Sequence, residues 1–158
     1  MHRALIACTM LFLGTLAMLF IAGLFLPDHV EVQRLVKVNT SRARLHTLLD
    51  DLERWREWST WGDPDAPIVL EYSDPSSGVG AWYSWRSDEI GAGRIELTAS
   101  DPTKGVWYDM TFDLDPDPMK GALRYLPEAG SSEEKYIELE WSLRGDLSGP
   151  LERALGPI

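Results

Sequence analysis

Two tyrosines in separate predicted strands are the side chains best placed to act on a small molecule. Tyr83 lies in the run Gly80–Arg86 and Tyr108 in the run Gly105–Leu114, and each shares its face with apolar residues. Acid–base catalysis would need a buried Asp or Glu with a raised pKa beside such a tyrosine. Acidic residues such as Asp109 fall instead on the opposite, polar face or in turns. The pattern therefore favours a hydrogen bond to a ligand carbonyl over catalysis.

Histidine, cysteine and glycine patterns indicate no cofactor site. The three histidines are scattered, the only cysteine is Cys8, and H-E-x-x-H and C-x-x-C are both absent. There is no P-loop, dinucleotide glycine fingerprint or G-x-S-x-G elbow. We therefore predict no catalytic residue, no metal and no cofactor.

The run Asp113-Leu-Asp-Pro-Asp117 has the acidic spacing that opens a calcium loop. Such a loop needs glycine at its sixth position and glutamate at its twelfth, where this chain has Pro118 and Arg124. An acidic hairpin tip is the better interpretation.

Helical spacing begins after Asn39-Thr40-Ser41, with Ser41 as the expected N-cap. The apolar stripe that follows predicts one or two short helices. It consists of Leu45, Leu48, Leu49, Leu52, Trp55 and Trp58. Trp61 falls in the exit from this segment. The sequence leaves two roles open for Trp55 and Trp58, packing in the core and contact with a ligand.

Strand alternation accounts for most of the remaining chain. Val30–Val38 reads as a half-buried strand, with Arg34 where the pattern predicts an apolar residue. That arginine either extends to the sheet edge or meets an acidic ligand group. Antiparallel strands separated by turns are predicted over Ile68–Tyr72, Gly80–Arg86, Gly93–Ser100, Gly105–Leu114, Met119–Leu126 and Lys135–Arg144. A sheet with one polar face needs an apolar layer over the other face.

An uncharged stretch precedes this region. Ala4–Leu26 contains 23 residues, about 34 Å of helix against a hydrocarbon core of about 30 Å. It predicts one transmembrane helix, with residues 1–26 as the anchor and 27–158 as the domain; a cleaved signal peptide is the alternative. The chain is then expected to be a single-pass membrane protein. The sequence leaves open on which side of the membrane the domain lies. The net charge of −10 argues against binding to nucleic acid.

Four segments carry a family resemblance: "LFLPDHVEVQR", "ERWREWSTW", "SGVGAWYSW" and "LRGDL". On these the chain, over about Phe25 to Leu147, resembles the SRPBCC superfamily, in its polyketide cyclase/dehydrase-like branch with an N-terminal membrane segment. The resemblance implies an α+β, START-like helix-grip fold. This fold has a curved antiparallel sheet of six to seven strands, two short helices and a long final helix that roofs a hydrophobic cavity.

The C-terminus departs from this pattern. Leu151–Leu155 begins a helical pattern, but Gly156-Pro157 follows at once. We therefore predict that the long C-terminal helix is absent and that the domain is C-terminally truncated. The concave face would then be exposed, beyond the apolar area that soluble monomers usually tolerate. Its expected residues are Tyr83, Trp85, Tyr108, Met110, Phe112, Leu139 and Trp141.

Three functions follow from this interpretation. The first is membrane-anchored binding of a hydrophobic small molecule or lipid, with the membrane contacted through residues 4–26. The predicted ligand-binding residues are the seven of the concave face together with Trp55 and Trp58. The second is a polyketide cyclase/dehydrase-type enzyme, which the resemblance alone implies. The third is a truncated remnant or interaction module completed by a partner chain, for example a homodimer over the open face.

Overall fold

The computed structural model describes residues 2–59, 68–113, 115–126, 136–147, 149–150 and 153. These belong to two compact units, one over Glu31–Arg144 and one over Met1–Val30 with Gly145–Ile158. Trp61 lies outside the described residues, and so does most of the segment after residue 147. The absence of a long C-terminal helix therefore stays a prediction.

The secondary structure follows the predicted order closely. Helix α1 is followed by strand β1, helix α2, a short 3₁₀ helix and six further strands. The bounds are α1 His2–Gly23, β1 His29–Val38, α2 Arg42–Asp50, the 3₁₀ helix Leu52–Glu57, β2 Val69–Tyr72, β3 Trp82–Ser87, β4 Gly91–Asp101, β5 Gly105–Phe112, β6 Asp115–Tyr125 and β7 Ile137–Asp146.

All seven strands form one sheet in the order β1-β7-β6-β5-β4-β3-β2. The pairs from β2 to β7 are antiparallel, as the turn-separated alternation predicted. Six to seven antiparallel strands with two short helices are therefore confirmed. The chain returns from β7 to lie beside β1, so the first and last strands are neighbours.

Two side chains start the two helices. The Ser41 Oγ accepts a hydrogen bond from the backbone N–H of Arg44, which confirms the predicted N-cap of α2. The carboxylate of Asp51 accepts from the N–H of Glu53 at 3.1 Å and starts the 3₁₀ helix. The indole N–H of Trp55 donates to the carbonyl of Leu49 at 2.9 Å, which ties the two helices together.

One face of the sheet, here called the inner face, packs against α2 and the 3₁₀ helix. Leu45 and Leu49 of α2 are buried there. The sheet contributes alternate residues of its central strands, because successive side chains point to opposite faces. Those that are buried include Ile95, Leu97, Val106, Tyr108, Met110 and Leu123.

A bulge interrupts the alternation of β4. The register against β5 shifts between Leu97 and Ala99. Ser100 therefore pairs with the buried Val106 and turns towards α2, where its hydroxyl contacts His46. The predicted alternation, which put Ala99 on the face of Leu97, is wrong beyond Leu97 for this reason.

The other unit contains α1 and the C-terminal segment. The N–H of Leu147 donates to the carbonyl of Asp28 at 2.7 Å, and the backbone of Gly23 lies against Pro150. Helix α1 ends at Gly23, before the end of the predicted span at Leu26. Over the residues that the structure describes, no helix is both long and apolar enough to cross a membrane. The predicted transmembrane helix is therefore not supported.

Candidate functional site

Aromatic rings on the inner face form one continuous cluster. The 3₁₀ helix follows α2 directly and so places Trp55 over the middle of the sheet. Its ring lies 5.2 Å from that of Tyr108 and 6.3 Å from that of Tyr83, edge-on in both cases. This aromatic cluster consists of Trp55, Trp58, Tyr72, Tyr83, Trp85, Tyr108 and Phe112.

The two tryptophans of the helical stripe have different environments. Trp55 is buried, whereas 44% of Trp58 is exposed. Their rings lie 5.2 Å apart, so Trp58 covers the outer side of Trp55. Trp55 is therefore part of the packed core, whereas Trp58 presents a large surface to solvent.

Glycines opposite two of the rings make the cluster possible. A Cβ at Gly121 would lie 2.1 Å from the ring of Tyr108, and one at Gly93 would lie 2.3 Å from the ring of Trp85. Each glycine is the cross-strand partner of the aromatic residue that covers it. The rings therefore lie flat across the neighbouring strand instead of standing away from the sheet.

The two candidate tyrosines are both buried and protonated. Burial raises the pKa of Tyr83 and that of Tyr108. The hydroxyl oxygen of Tyr108 accepts from the indole N–H of Trp141 at 2.9 Å. The hydroxyl of Tyr83 has no hydrogen-bond partner among the described residues. At neutral pH both phenols can donate a hydrogen bond, but neither is suited to act as a base.

The expectation of an open concave face is wrong for four of its seven residues. Tyr83, Trp85, Tyr108 and Met110 are buried. They are covered because Trp55 lies over the tyrosines and because the ring of Phe112 stands edge-on to that of Trp85 at 5.5 Å. Phe112, Leu139 and Trp141 are half-buried.

The inner face is less covered towards β7 and β1. The ammonium of Lys37 contacts Glu138 and the Tyr136 hydroxyl. Glu138 points away from the core, so Lys37 lies on the outer face and the residues alternating with it lie on the inner face. On β1, 36% of Val32 and 52% of Val36 are exposed. We call this region the open end of the inner face: Val32, Arg34, Val36, Leu139, Trp141 and Leu143.

A separate cavity of about 90 Å³ lies among β2, β3 and β4. Ligand sites for drug-sized molecules are about 300–1,000 Å³, so this cavity is too small for such a ligand. Its lining residues are Val69, Glu71, Ser84, Trp85, Arg86, Ala92, Gly93 and Asp113.

A polar cluster between α2 and the sheet was not predicted from the sequence. The hydroxyl of Ser100 donates to the carboxylate of Asp50 and lies 3.3 Å from the Nε2 of His46. The Nδ1 of His46 lies 3.0 Å from the hydroxyl of Tyr125. Because Ser100 has one proton to donate, the consistent direction runs from Tyr125 through His46 and Ser100 to Asp50. This chain attaches α2 to the sheet.

No metal site is evident in the described part of the chain. There, no three or more His, Cys, Asp and Glu side chains come close enough to hold an ion. The only signal that could have revealed the polar cluster is the placement of Arg42, His46 and Asp50 on one helix face, four residues apart. Its partners on the sheet depend on the β4 bulge.

Solved structures share this fold. Norcoclaurine synthase from Thalictrum flavum, in complex with dopamine and hydroxybenzaldehyde, is 12% identical, with a TM-score of 0.61 over 87% of this chain and 80% of that chain. Ginseng major latex-like protein 151 from Panax ginseng is 12% identical, with a TM-score of 0.52 over 76% and 80%. The Mll3558 protein from Rhizobium loti is 17% identical, with a TM-score of 0.51 over 81% and 86%.

These identities establish similarity of fold alone. They support the predicted helix-grip fold. No protein-family model matches the chain, and no curated protein sequence matches it.

Proposed function

We propose that this protein binds a hydrophobic small molecule at the open end of the inner face. The observation that carries the proposal is the change in solvent exposure along that face. The aromatic cluster is packed, whereas the neighbouring Leu139, Trp141 and Leu143 are only half-buried and Val36 is half exposed. A ligand bound there would remove apolar surface from water, which stabilises the complex by about 25 cal/mol per Å² of buried surface.

The fold comparison supports this proposal only by analogy. The norcoclaurine synthase structure holds dopamine and hydroxybenzaldehyde. From that structure we take only the ability of the fold to hold small molecules. We do not extend the reaction of that enzyme to this chain. Leu139 and Trp141, predicted ligand-binding residues, are half-buried and belong to the open end. For the buried Tyr83 and Tyr108, ligand contact would require the aromatic cluster to open.

No observation favours the enzymatic alternative. A general base works best with a pKa near the working pH, but the pKa values of Tyr83 and Tyr108 are raised by burial. The described inner positions of β3, β5 and β7 carry no carboxylate. Completion of the domain by a partner chain, and single-pass membrane localisation, stay predictions from the sequence.

The test uses Nile red, a neutral probe whose fluorescence rises in apolar surroundings. We expect saturable binding with about one site per chain. Trp141→Ala should weaken this binding about tenfold, because the ring forms part of the proposed surface. Trp107→Ala is the matched control, since Trp107 is a half-buried tryptophan on the outer face.

Folding of each variant is checked by near-ultraviolet circular dichroism. Trp141→Phe retains a ring at the site and should retain most of the binding even though the bond to Tyr108 is lost. A native chain that takes up no Nile red, or equal binding by the Trp141→Ala and Trp107→Ala variants, would contradict the proposal.

A further inference from the structure

Arg34, on the edge strand β1, brings one positive charge to the margin of the open end of the inner face. Lys37 lies on the outer face beside Glu138, and β1 alternates, so Arg34 shares the inner face with Val32 and Val36. Val38, on the same side, packs against the core. An arginine at this position interrupts an otherwise apolar stripe.

Two contacts show which residue of β7 lies opposite Arg34. Lys37 lies beside Glu138, and the N–H of Leu147 donates to the carbonyl of Asp28. The strands β1 and β7 therefore run antiparallel, which places Arg34 level with Trp141. Towards Val38 the neighbouring inner positions are Val36 and Leu139, both apolar.

The guanidinium of Arg34 retains most of its capacity to donate hydrogen bonds. One nitrogen donates to the carbonyl of Gln33 at 3.0 Å. No carboxylate of a described residue forms an ion pair with it. A guanidinium has five N–H donors arranged to grip a carboxylate with two parallel bonds. The described inner positions of β7 carry no charged side chain: they are Ile137, Leu139, Trp141, Leu143 and Gly145.

We propose that the ligand of this site is a monomeric fatty acid, with its carboxylate bound by Arg34 and its chain lying along Val36 and Leu139. This inference rests on the proposed function and names its ligand class. Charge complementarity selects the occupant, because one isolated cation beside an apolar strip matches a single anionic head on a single apolar chain. From Arg34 to Val38 the strip is about 13 Å long, at about 3.3 Å per residue.

The negative net charge of the protein does not prevent this binding. Acidic residues such as Glu138 and Glu140 point from the outer face, where they pair with Lys37 and Arg124. At physiological ionic strength, charges further apart than about 8 Å are largely screened. These two carboxylates therefore act on Arg34 from the opposite face of the sheet, and each already has a cationic partner.

The experiment compares cis-parinaric acid, a naturally fluorescent fatty acid, with its methyl ester at pH 7. Both have the same apolar chain, but only the acid carries a negative charge. We expect the full-length protein to bind the acid about tenfold more tightly than the ester, as for one charge-assisted hydrogen-bonded pair. High salt should reduce this ratio.

Three variants identify the group responsible. Arg34→Gln should lower the affinity for the acid to that for the ester, and Arg34→Lys should retain part of the preference. Arg44→Gln, at an exposed position of α2, is the control and should leave the ratio unchanged.

Equal binding of acid and ester by the native protein would overturn the inference while leaving the proposed function intact. A preference that survives Arg34→Gln would overturn it equally. If the acid, the ester and Nile red all fail to bind, both the inference and the proposed function are wrong. Dimerisation that excludes both lipids would assign this face to a second copy of the chain and would also overturn the inference.

Discussion

Gly121 lies beneath the ring of Tyr108, where a methyl group has no room. The ring cannot move aside easily, because Tyr108 is buried and its hydroxyl accepts the Trp141 hydrogen bond. Glycine is therefore required at position 121 for space rather than for backbone freedom. Gly93 likewise lies beneath the ring of Trp85, where a Cβ has no room.

Gly121→Ala should lower the free energy of unfolding by about 1–3 kcal/mol, the usual effect of overpacking a core. The added Cβ would lie 2.1 Å from the Tyr108 ring. Urea denaturation at pH 7 measures the change. Gly149→Ala is the control, since no atom of a described residue lies within 4 Å of a Cβ there. Equal stability of the two variants would show that the ring is free to shift.

At the scale of elements, α2 is the segment that closes the inner face over β4 and β6. Its N-cap, its buried leucines and the polar cluster act at successive positions along one short helix. A helix of 9 residues is too short to be stable alone, so its ends and its contacts with the sheet decide whether it forms.

Ser41→Ala should destabilise the protein by about 1 kcal/mol, because the N–H of Arg44 loses its acceptor. Denaturant unfolding followed by far-ultraviolet circular dichroism measures this loss. Ser77→Ala is the matched control, since the Ser77 side chain is exposed and forms no hydrogen bond with a described residue. The N-cap assignment would be contradicted by equal losses in the two variants.

The contact of α2 with β6 should give a pH dependence in alkali. Burial raises the pKa of Tyr125 from 10.0 to about 12. The folded protein then holds the phenol proton more tightly than the unfolded chain does. This contribution to stability is complete below pH 10 and is lost as the pH rises towards 12.

We therefore expect the free energy of unfolding to fall between pH 10 and 12, and to fall less steeply in the Tyr125→Phe variant. Guanidinium titrations at several pH values measure the two slopes, and ultraviolet absorbance of the phenolate follows the ionisation itself. Identical slopes would mean that Tyr125 ionises equally in the folded and unfolded states.

At the scale of the whole molecule, the aromatic cluster predicts a cooperative loss of tertiary structure. Rings held at fixed angles give a near-ultraviolet circular dichroism signal, which a loosely packed chain lacks. Since Trp55, Tyr83 and Tyr108 are buried within one chain, their packing is formed without a second copy.

The full-length chain should therefore lose its near-ultraviolet signal in one sharp thermal transition, together with its far-ultraviolet signal. The melting temperature should not change with protein concentration. A melting temperature that rises with concentration would favour the alternative in which a partner chain completes the domain. A flat near-ultraviolet trace would contradict the packed cluster.

Much of the fold was predictable because the signals are local. Period-two alternation located the strands, and Ser41 before a helical stripe located α2, since both depend on residues close in the chain. The sequence also placed Tyr83, Tyr108 and Trp141 on one face. It did not predict that the tyrosines are buried, because their cover depends on where the 3₁₀ helix carries Trp55.

The sequence by itself determined the order of the strands and short helices, the inner and outer faces of most strands and the unusual place of Arg34. Only the tertiary structure decided the β4 bulge, the polar cluster and the difference between the packed and open parts of the inner face. His46 meets Tyr125 across 79 residues of sequence and Ser100 across 54. Such contacts depend on how the strands assemble into the sheet, and no local pattern records them.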